Sequence, residues 1–189
     1  MVYMNLILAS QSPRRAELLR QAGFTFQVRS RAIPEVRAAG EAPRGYAMRL
    51  ACEKAEAAWK GADEIVLGAD TIVVFGEQVL EKPADAPDAA RMLRLLSGQT
   101  HTVITAICLR HPGGAIADAE STLVHFAPLD SAEIAAYVAS GEPMDKAGAY
   151  GIQGLASKFV QRVEGCYFNV MGLPLALVYR HWKTLELGA

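Results

Sequence analysis

The sequence predicts an α/β fold with a mixed sheet and flanking helices, and three observations carry that expectation. LILASQSPRRAELLRQAG, residues 6–23, reads as a strand, a tight turn and a helix. Strand-like and helix-like segments then alternate, through connections of both crossover and hairpin length. THTVITAICLR (100–110) and AESTLVHFA (119–127), joined through HPGG, read as an antiparallel hairpin, which a purely parallel doubly wound sheet would lack. With 189 residues, 51% of them hydrophobic, the chain can bury a substantial core as one domain, or as two closely packed lobes.

Each element has its own warrant. Leu6, Ile7 and Leu8 form a short apolar run; Ser12 suits an N-cap, Pro13 the first helical position and Gly23 the stop. FTFQVRS (24–30) alternates as a half-buried strand, and residues 31–42, with Pro34 and Gly40, read as a loop. Pro43 opens a helix to about Lys60, with Ala47, Leu50, Ala51, Ala55 and Ala58 at helical spacing and Gly61 after it. EIVLGAD (64–70) is a buried strand continued by TIVVF (71–75); a turn at Gly76 and a return through VLEK (79–82) make a hairpin. Pro87 begins a helix with Ala90, Leu93 and Leu96 on one face, before Gly98. Asp130 and Glu133 spell a capping box for SAEIAAYVAS, which Gly141 ends. Residues 141–157 hold four glycines and little periodicity, the profile of an ordered functional loop. KFVQRVEG and CYFNVMG suggest two more strands, and Pro174 leads into a C-terminal amphipathic helix.

Composition removes several function classes. Nineteen basic and twenty acidic residues leave a formal charge of -1, so no bulk field draws the chain to nucleic acid or an anionic membrane, and any anion site must be local. Cys52, Cys108 and Cys166 stand far apart without zinc spacing, as buried thiols in a reducing compartment would. MVYMNLILAS is too short an apolar run for a signal peptide, and no run of about 18 apolar residues occurs, so a cytoplasmic location is expected. There is no GxxxxGK[ST], GxGxxG or HExxH motif, which counts against a P-loop enzyme, a dinucleotide enzyme and a zinc protease.

What remains points to a metal triphosphate. Arg14 and Arg15 fall in the first turn of the first helix, where the dipole disfavours cations by roughly 0.3–1 kcal/mol each unless an anion reverses the sign. With the Ser10 and Ser12 hydroxyls and the free backbone N–H groups they make a phosphate cradle. On the dipole argument alone, Arg15→Ala should leave the unliganded stability unchanged or slightly raised. Glu35, Lys54, Asp70, Glu81, Lys82 and Lys146 all close or flank apolar segments. Surface charges are ordinarily just solvated, but an acid ending a run as apolar as IVLGA needs solvent or a partner, which singles out Asp70. Carboxylates would hold Mg²⁺ or Mn²⁺, and lysines and arginines would neutralise phosphate oxygens. Trp59, Trp182, Tyr137 and Tyr179 read as packing residues, and His101 and His125 as structural strand histidines.

LASQSPRR (8–15), EKA (53–55), GADTIV (68–73), EKP (81–83), LSGQTHTVITA (96–106), GEPMDKAGAYGIQG (141–154) and NVMGLPL (169–175) resemble, in order and over nearly the whole chain, the Maf family of nucleoside triphosphate pyrophosphatases. The resemblance implies one domain over residues 1–189, folded like the inosine triphosphate pyrophosphatases, with two lobes around a cleft. It implies a divalent-metal enzyme that cleaves a nucleoside triphosphate between its α- and β-phosphates, and a homodimer. Asp70 would be the catalytic acid and, with Glu35, a metal ligand. Arg14, Thr71 and Gln153 would govern base selectivity, while Ser10, Arg15, Lys54, Lys82 and Lys146 would bind phosphate. The Asp-Thr pair and the IQG triplet look like the branch that hydrolyses dTTP and UTP. A carboxylate is a weak base at neutral pH, so Asp70 is expected to act chiefly by holding metal and orienting water. The family's link to septum formation suggests the alternative of a nucleotide-binding regulator of cell division.

Overall fold

The computed structural model describes residues 5–61 and 64–187, so the reading of the first four residues lies outside it. Its elements are β1 (Asn5–Leu8), α1 (Pro13–Gln21), β2 (Phe26–Val28), α2 (Pro43–Ala58), β3 (Glu64–Phe75), β4 (Gln78–Leu80) and α3 (Ala86–Leu96). They continue with β5 (Thr100–His111), β6 (Gly114–Phe126), α4 (Ser131–Ala139), β7 (Val160–Glu164), α5 (Tyr167–Val170) and α6 (Leu175–Leu187). The strands hydrogen-bond in the order β2-β1-β3-β5-β6-β7, with β4 on β3. β1 runs parallel to β2 and β3, whereas β4 is antiparallel to β3 and β7 to β6, so the sheet is mixed, as the sequence predicts.

The chain divides into two compact units. The first comprises the residues up to Asp70, Thr105–Glu120, and those from Gly172 on; the second comprises Thr71–Ile104 and Ser121–Met171. β3, β5 and β6 each contribute residues to both.

In the first unit, α2 buries Tyr46, Ala47, Leu50, Ala51, Ala55 and Ala58. That stripe is small for a reason. A Cβ on Gly68 of β3 would stand 2.1 Å from the Ala51 carbonyl oxygen and 2.8 Å from the Ala55 nitrogen. Helix and strand therefore meet backbone to backbone, which only alanine on one side and glycine on the other permit. Ion pairs brace the periphery: Arg49 joins Glu41 and Glu53, and Asp118 takes Arg44, Arg180 and His181. Trp59 lies under the Arg110 guanidinium, and Trp182 packs edge-on to Phe24.

The second unit is built on aromatics. His101, Phe126, Tyr137, Tyr150 and Phe159 form a chain of edge-to-face and tilted contacts with centroids 4.7–6.4 Å apart. The capping box is complete: Asp130 accepts from the Ala132 and Glu133 N–H groups while Glu133 accepts from the Asp130 N–H.

Several expectations are corrected. Tyr167–Val170 is a helical turn and not a strand, because buried Asn169 turns inward to donate to the Val103 carbonyl (2.9 Å) and the Thr122 hydroxyl (3.0 Å). The buried face of α3 is Ala89, Met92, Leu93 and Leu96, with Ala90 only half-buried. β2 is three residues long, and β6 begins at Gly114 because the hairpin turn is tighter than expected. Residues 141–157 are not plain loop but carry 3₁₀ turns at Glu142–Asp145 and Ala147–Ala149, with a third, Leu155–Phe159, running on beyond it. Ser12 holds the N-cap position without a side-chain cap; its own N–H donates to the Ser10 hydroxyl instead. Tyr179 is exposed. All three cysteines are free, although only Cys108 is fully buried.

Gly68→Ala should destabilise the protein by several kcal/mol, since backbone cannot yield as a side-chain tip can. Gly45→Ala, on α2 with nothing within 4 Å of the new methyl, should instead stabilise by about 0.5–1 kcal/mol. Urea unfolding of the pair checks both signs. A second outcome concerns His101, whose pKa burial, reinforced by His125, lowers to about 4. The unfolded chain therefore binds the proton first, and the stability that the neutral ring confers is complete above about pH 6.5 and lost as pH falls toward 4. The loss is on the order of 3 kcal/mol, and His101→Gln should flatten that part of the stability–pH curve.

Candidate functional site

Within the first unit, the β1–α1 turn and the middle of β3 are tied by one side chain. Arg15 donates from Nη1 to the Ser10 hydroxyl (3.1 Å) and to the Ala69 carbonyl (2.9 Å), and from Nε to the Gly172 carbonyl (2.8 Å). Burial lowers its pKa from the usual arginine value, while Asp70 and Glu35 oppose that shift. The Ser10 hydroxyl, itself buried, accepts from both Arg15 and the Ser12 N–H. Arg14 is half-buried on the same turn.

Next to the Ala69 carbonyl stands Asp70, with its side chain 9% exposed. The close approach at Gly68 brings Lys54, one residue before Ala55, over it. Lys54 Nζ donates to Asp70 Oδ1 at 2.6 Å and stands 2.7 Å from Glu35 Oε1. One ammonium thus bridges two carboxylates that are thirty-five positions apart in sequence, Glu35 from the 31–42 loop and Asp70 from β3. Of the predicted site residues, Ser10 and Arg15 form one hydrogen-bonded group, and Glu35, Lys54 and Asp70 another.

The second unit holds Thr71, Lys82, Lys146 and Gln153. Thr71 is half-buried and Lys82 exposed beside Pro83. The Glu81 carbonyl accepts from the Gly148 N–H (3.1 Å), which ties the EKP segment to the glycine-rich stretch. Lys146 donates to the Glu142 carbonyl and to Asp145 Oδ1, both at 2.6 Å. Gln153 stands at the tip of a turn closed by the Gly154 N–H on the Gly151 carbonyl (3.0 Å), its amide exposed rather than buried. Sequence reasoning missed Tyr137 and Glu142. Its helical position marks Tyr137 as a packing residue, and it does pack against Phe159, yet its hydroxyl donates to Glu142 Oε1 at 2.9 Å and accepts from the Gly151 N–H at 3.2 Å. No group of three or more His, Cys, Asp or Glu side chains gathers among the described residues, and none of their helices is long and apolar enough to cross a membrane.

A mixed α/β chain with a lysine-bridged carboxylate pair beside an arginine-braced serine turn is suited to holding a charged phosphate compound. The chain belongs to the Maf family: the Maf-like protein family matches residues 5–185. A dTTP/UTP pyrophosphatase of Koribacter versatilis is 58% identical over 178 residues, covering 94% of this chain and 92% of that one. Proteins with the same name from Shigella dysenteriae and Salmonella typhimurium are 53% and 52% identical, covering 93% and 96% of this chain and 90% and 94% of theirs. Among solved structures, a nucleoside-triphosphatase / dITP/XTP pyrophosphatase from Mycobacterium abscessus matches 68% of this chain and 77% of its own, with 18% identity and a TM-score of 0.42.

The three hydrogen bonds of Arg15 reverse the dipole expectation. Removing a charged donor from two backbone carbonyls and a buried hydroxyl costs more than relief at the helix end returns. Arg15→Ala should lower unliganded stability on the order of 2 kcal/mol, read as a fall in melting temperature and in the denaturant midpoint.

Proposed function

We propose that this protein is a nucleoside triphosphate pyrophosphatase that hydrolyses dTTP and UTP between the α- and β-phosphates, releasing the nucleoside monophosphate and diphosphate. The observation that carries the reading is the Lys54 bridge between Glu35 and Asp70, at 2.7 and 2.6 Å, in a chain 58% identical to a named dTTP/UTP pyrophosphatase. Lys54 supplies a positive charge for phosphate oxygens, and Asp70 a carboxylate that can orient the attacking water. The Ser10–Arg15 turn holds the backbone around them still, and both groups are set before any ligand arrives.

A divalent ion, Mg²⁺ or Mn²⁺, fits the donor set. Glu35 and Asp70 are hard oxygen donors already drawn to one cation, and such ions take one or two carboxylates together with water and phosphate oxygens. Bound there, it would neutralise developing phosphate charge and acidify water. Lys82 and Lys146 would serve phosphate oxygens, with Arg14, Thr71 and Gln153 selecting the base. Gln153 is suited to that work because its amide makes no other hydrogen bond among the described residues and can both donate to and accept from the edge of uracil or thymine.

A panel of nucleoside triphosphates with Mg²⁺ or Mn²⁺, its phosphorus products resolved as diphosphate or orthophosphate, tests the reading. dTTP and UTP should lead the purine nucleotides by roughly tenfold to a hundredfold in kcat/KM. Asp70→Asn should abolish turnover while the far-UV spectrum stays native, since it removes charge without changing size. Orthophosphate as the product, or an Asn variant within a fewfold of wild type, would rule the assignment out.

A further inference from the structure

Gln153 sits in a turn that is held from both sides by two side chains remote from it in sequence. The Gly151 N–H donates to the Tyr137 hydroxyl (3.2 Å); that hydroxyl donates to Glu142 Oε1 (2.9 Å); and Glu142 Oε2 accepts from the Leu155 N–H (2.9 Å). With the Gly154 N–H on the Gly151 carbonyl, this closes a ring of hydrogen bonds around residues 151–155. The bracing side chains lie directly against its two glycines, so that a side chain at either would displace them. A Cβ on Gly154 would meet both carboxylate oxygens of Glu142 at 2.1 and 2.5 Å, and one on Gly151 would meet the Lys146 stem at 2.6 Å. Tyr137 is 3% exposed on α4, and Phe159 packs against its ring, so the hydroxyl is delivered from a fixed platform.

We infer that Tyr137 and Glu142 are positioning residues for base selection: they hold the Gly151–Leu155 turn so that the Gln153 amide is presented from one backbone position. An exposed glutamine on an unbraced turn would lose its rotational and backbone freedom on binding, and a wrong base could be accommodated by a different turn conformation. A braced turn discriminates because the backbone that carries the amide cannot shift to follow the wrong base. Two backbone N–H groups satisfied by side chains, and not by the turn itself, are what such bracing requires.

This inference rests on Gln153 selecting the base, and its test separates the two. Tyr137→Phe keeps the ring and its packing but deletes the link between Gly151 and Glu142. Hydrolysis is measured on the nucleotide panel for wild type, Tyr137→Phe, Gln153→Ala and the double variant, with selectivity taken between the best and worst nucleotides whichever base leads. Tyr137→Phe should lower that ratio about tenfold, chiefly by raising KM for the preferred nucleotide, with little change for the poorest one. In the Gln153→Ala background it should lower the ratio no further, because it acts through Gln153. Glu142→Ala should repeat the pattern and Glu142→Gln, which keeps one acceptor, should restore part of it, a series that stands even if Tyr137→Phe folds poorly. Equal losses for every nucleotide, or an undiminished effect of Tyr137→Phe without Gln153, would overturn the inference. The wild-type panel by itself decides whether the preferred bases are pyrimidines.

Discussion

The close approach of α2 to β3 at Gly68 is the constraint on which the first unit depends. A methyl group there would lie within 2.1 Å of a carbonyl oxygen, so the helix axis is as near the strand as backbone allows. Lys54 and Asp70 inherit their relation from that contact. Lys54 precedes Ala55, which touches Gly68, and Asp70 follows Gly68 by two residues on the same side of the strand. Had the helix stood a further 2 Å away, as a larger interfacial pair would require, the ammonium would reach one carboxylate or the other with a stretched side chain rather than bridge both. The alanine stripe at 47, 51, 55 and 58 is thus a geometric requirement of the charge cluster, and not a weak core.

The second unit reaches its order by a different route, because its key stretch is neither helix nor strand. Gly148 takes φ 70° against the Val73 side chain, and Ala149 beside it takes φ 61°, the one non-glycine residue with positive φ among those described. Alanine in that region costs on the order of 1 kcal/mol, which is stored between Lys146 on one side and Tyr150 on the other. What holds it is aromatic burial: Tyr150 is wedged against Phe126 and His101 and hydrogen-bonded to His101 Nε2 at 2.8 Å. Side-chain packing on one side, and the Tyr137–Glu142 ring on the other, replace the regular ladder that a strand would have had.

Much of the architecture was legible in the chain because its signals are local. The Asp130–Glu133 capping box, the prolines at helix starts and the 64–75 run each act over a few residues, and the structure follows them. CYFNVMG misled because its alternation is real but its decisive interaction is not local: Asn169 is claimed by Val103 and Thr122, sixty-six and forty-seven positions away. The site shows the same division. Motif resemblance marks Asp70, Lys54 and Glu35, and the structure brings those three together. The partners of Arg15 lie 54 and 157 positions away as backbone carbonyls, which no side-chain pattern advertises. Tyr137 carried a correct packing signal that concealed the work of its hydroxyl.

Arg15 and Lys54 are both cations with little exposure to solvent, yet their partners divide their roles. Arg15 donates to two carbonyls and a hydroxyl, neutral acceptors fixed in the backbone and turn, so moving it would break three hydrogen bonds at once. Its planar fork is matched to that task, and a strut is what it makes of the β1–α1 turn. Lys54 is paired with two carboxylates, and a pair this far from water, with side chains 14% and 9% exposed, returns little net stability for its desolvation. Replacing such a pair with apolar residues would cost the fold little. Its presence is therefore better explained by chemistry than by stability, and the mobile point charge of an ammonium is the kind that can trade one oxygen for another.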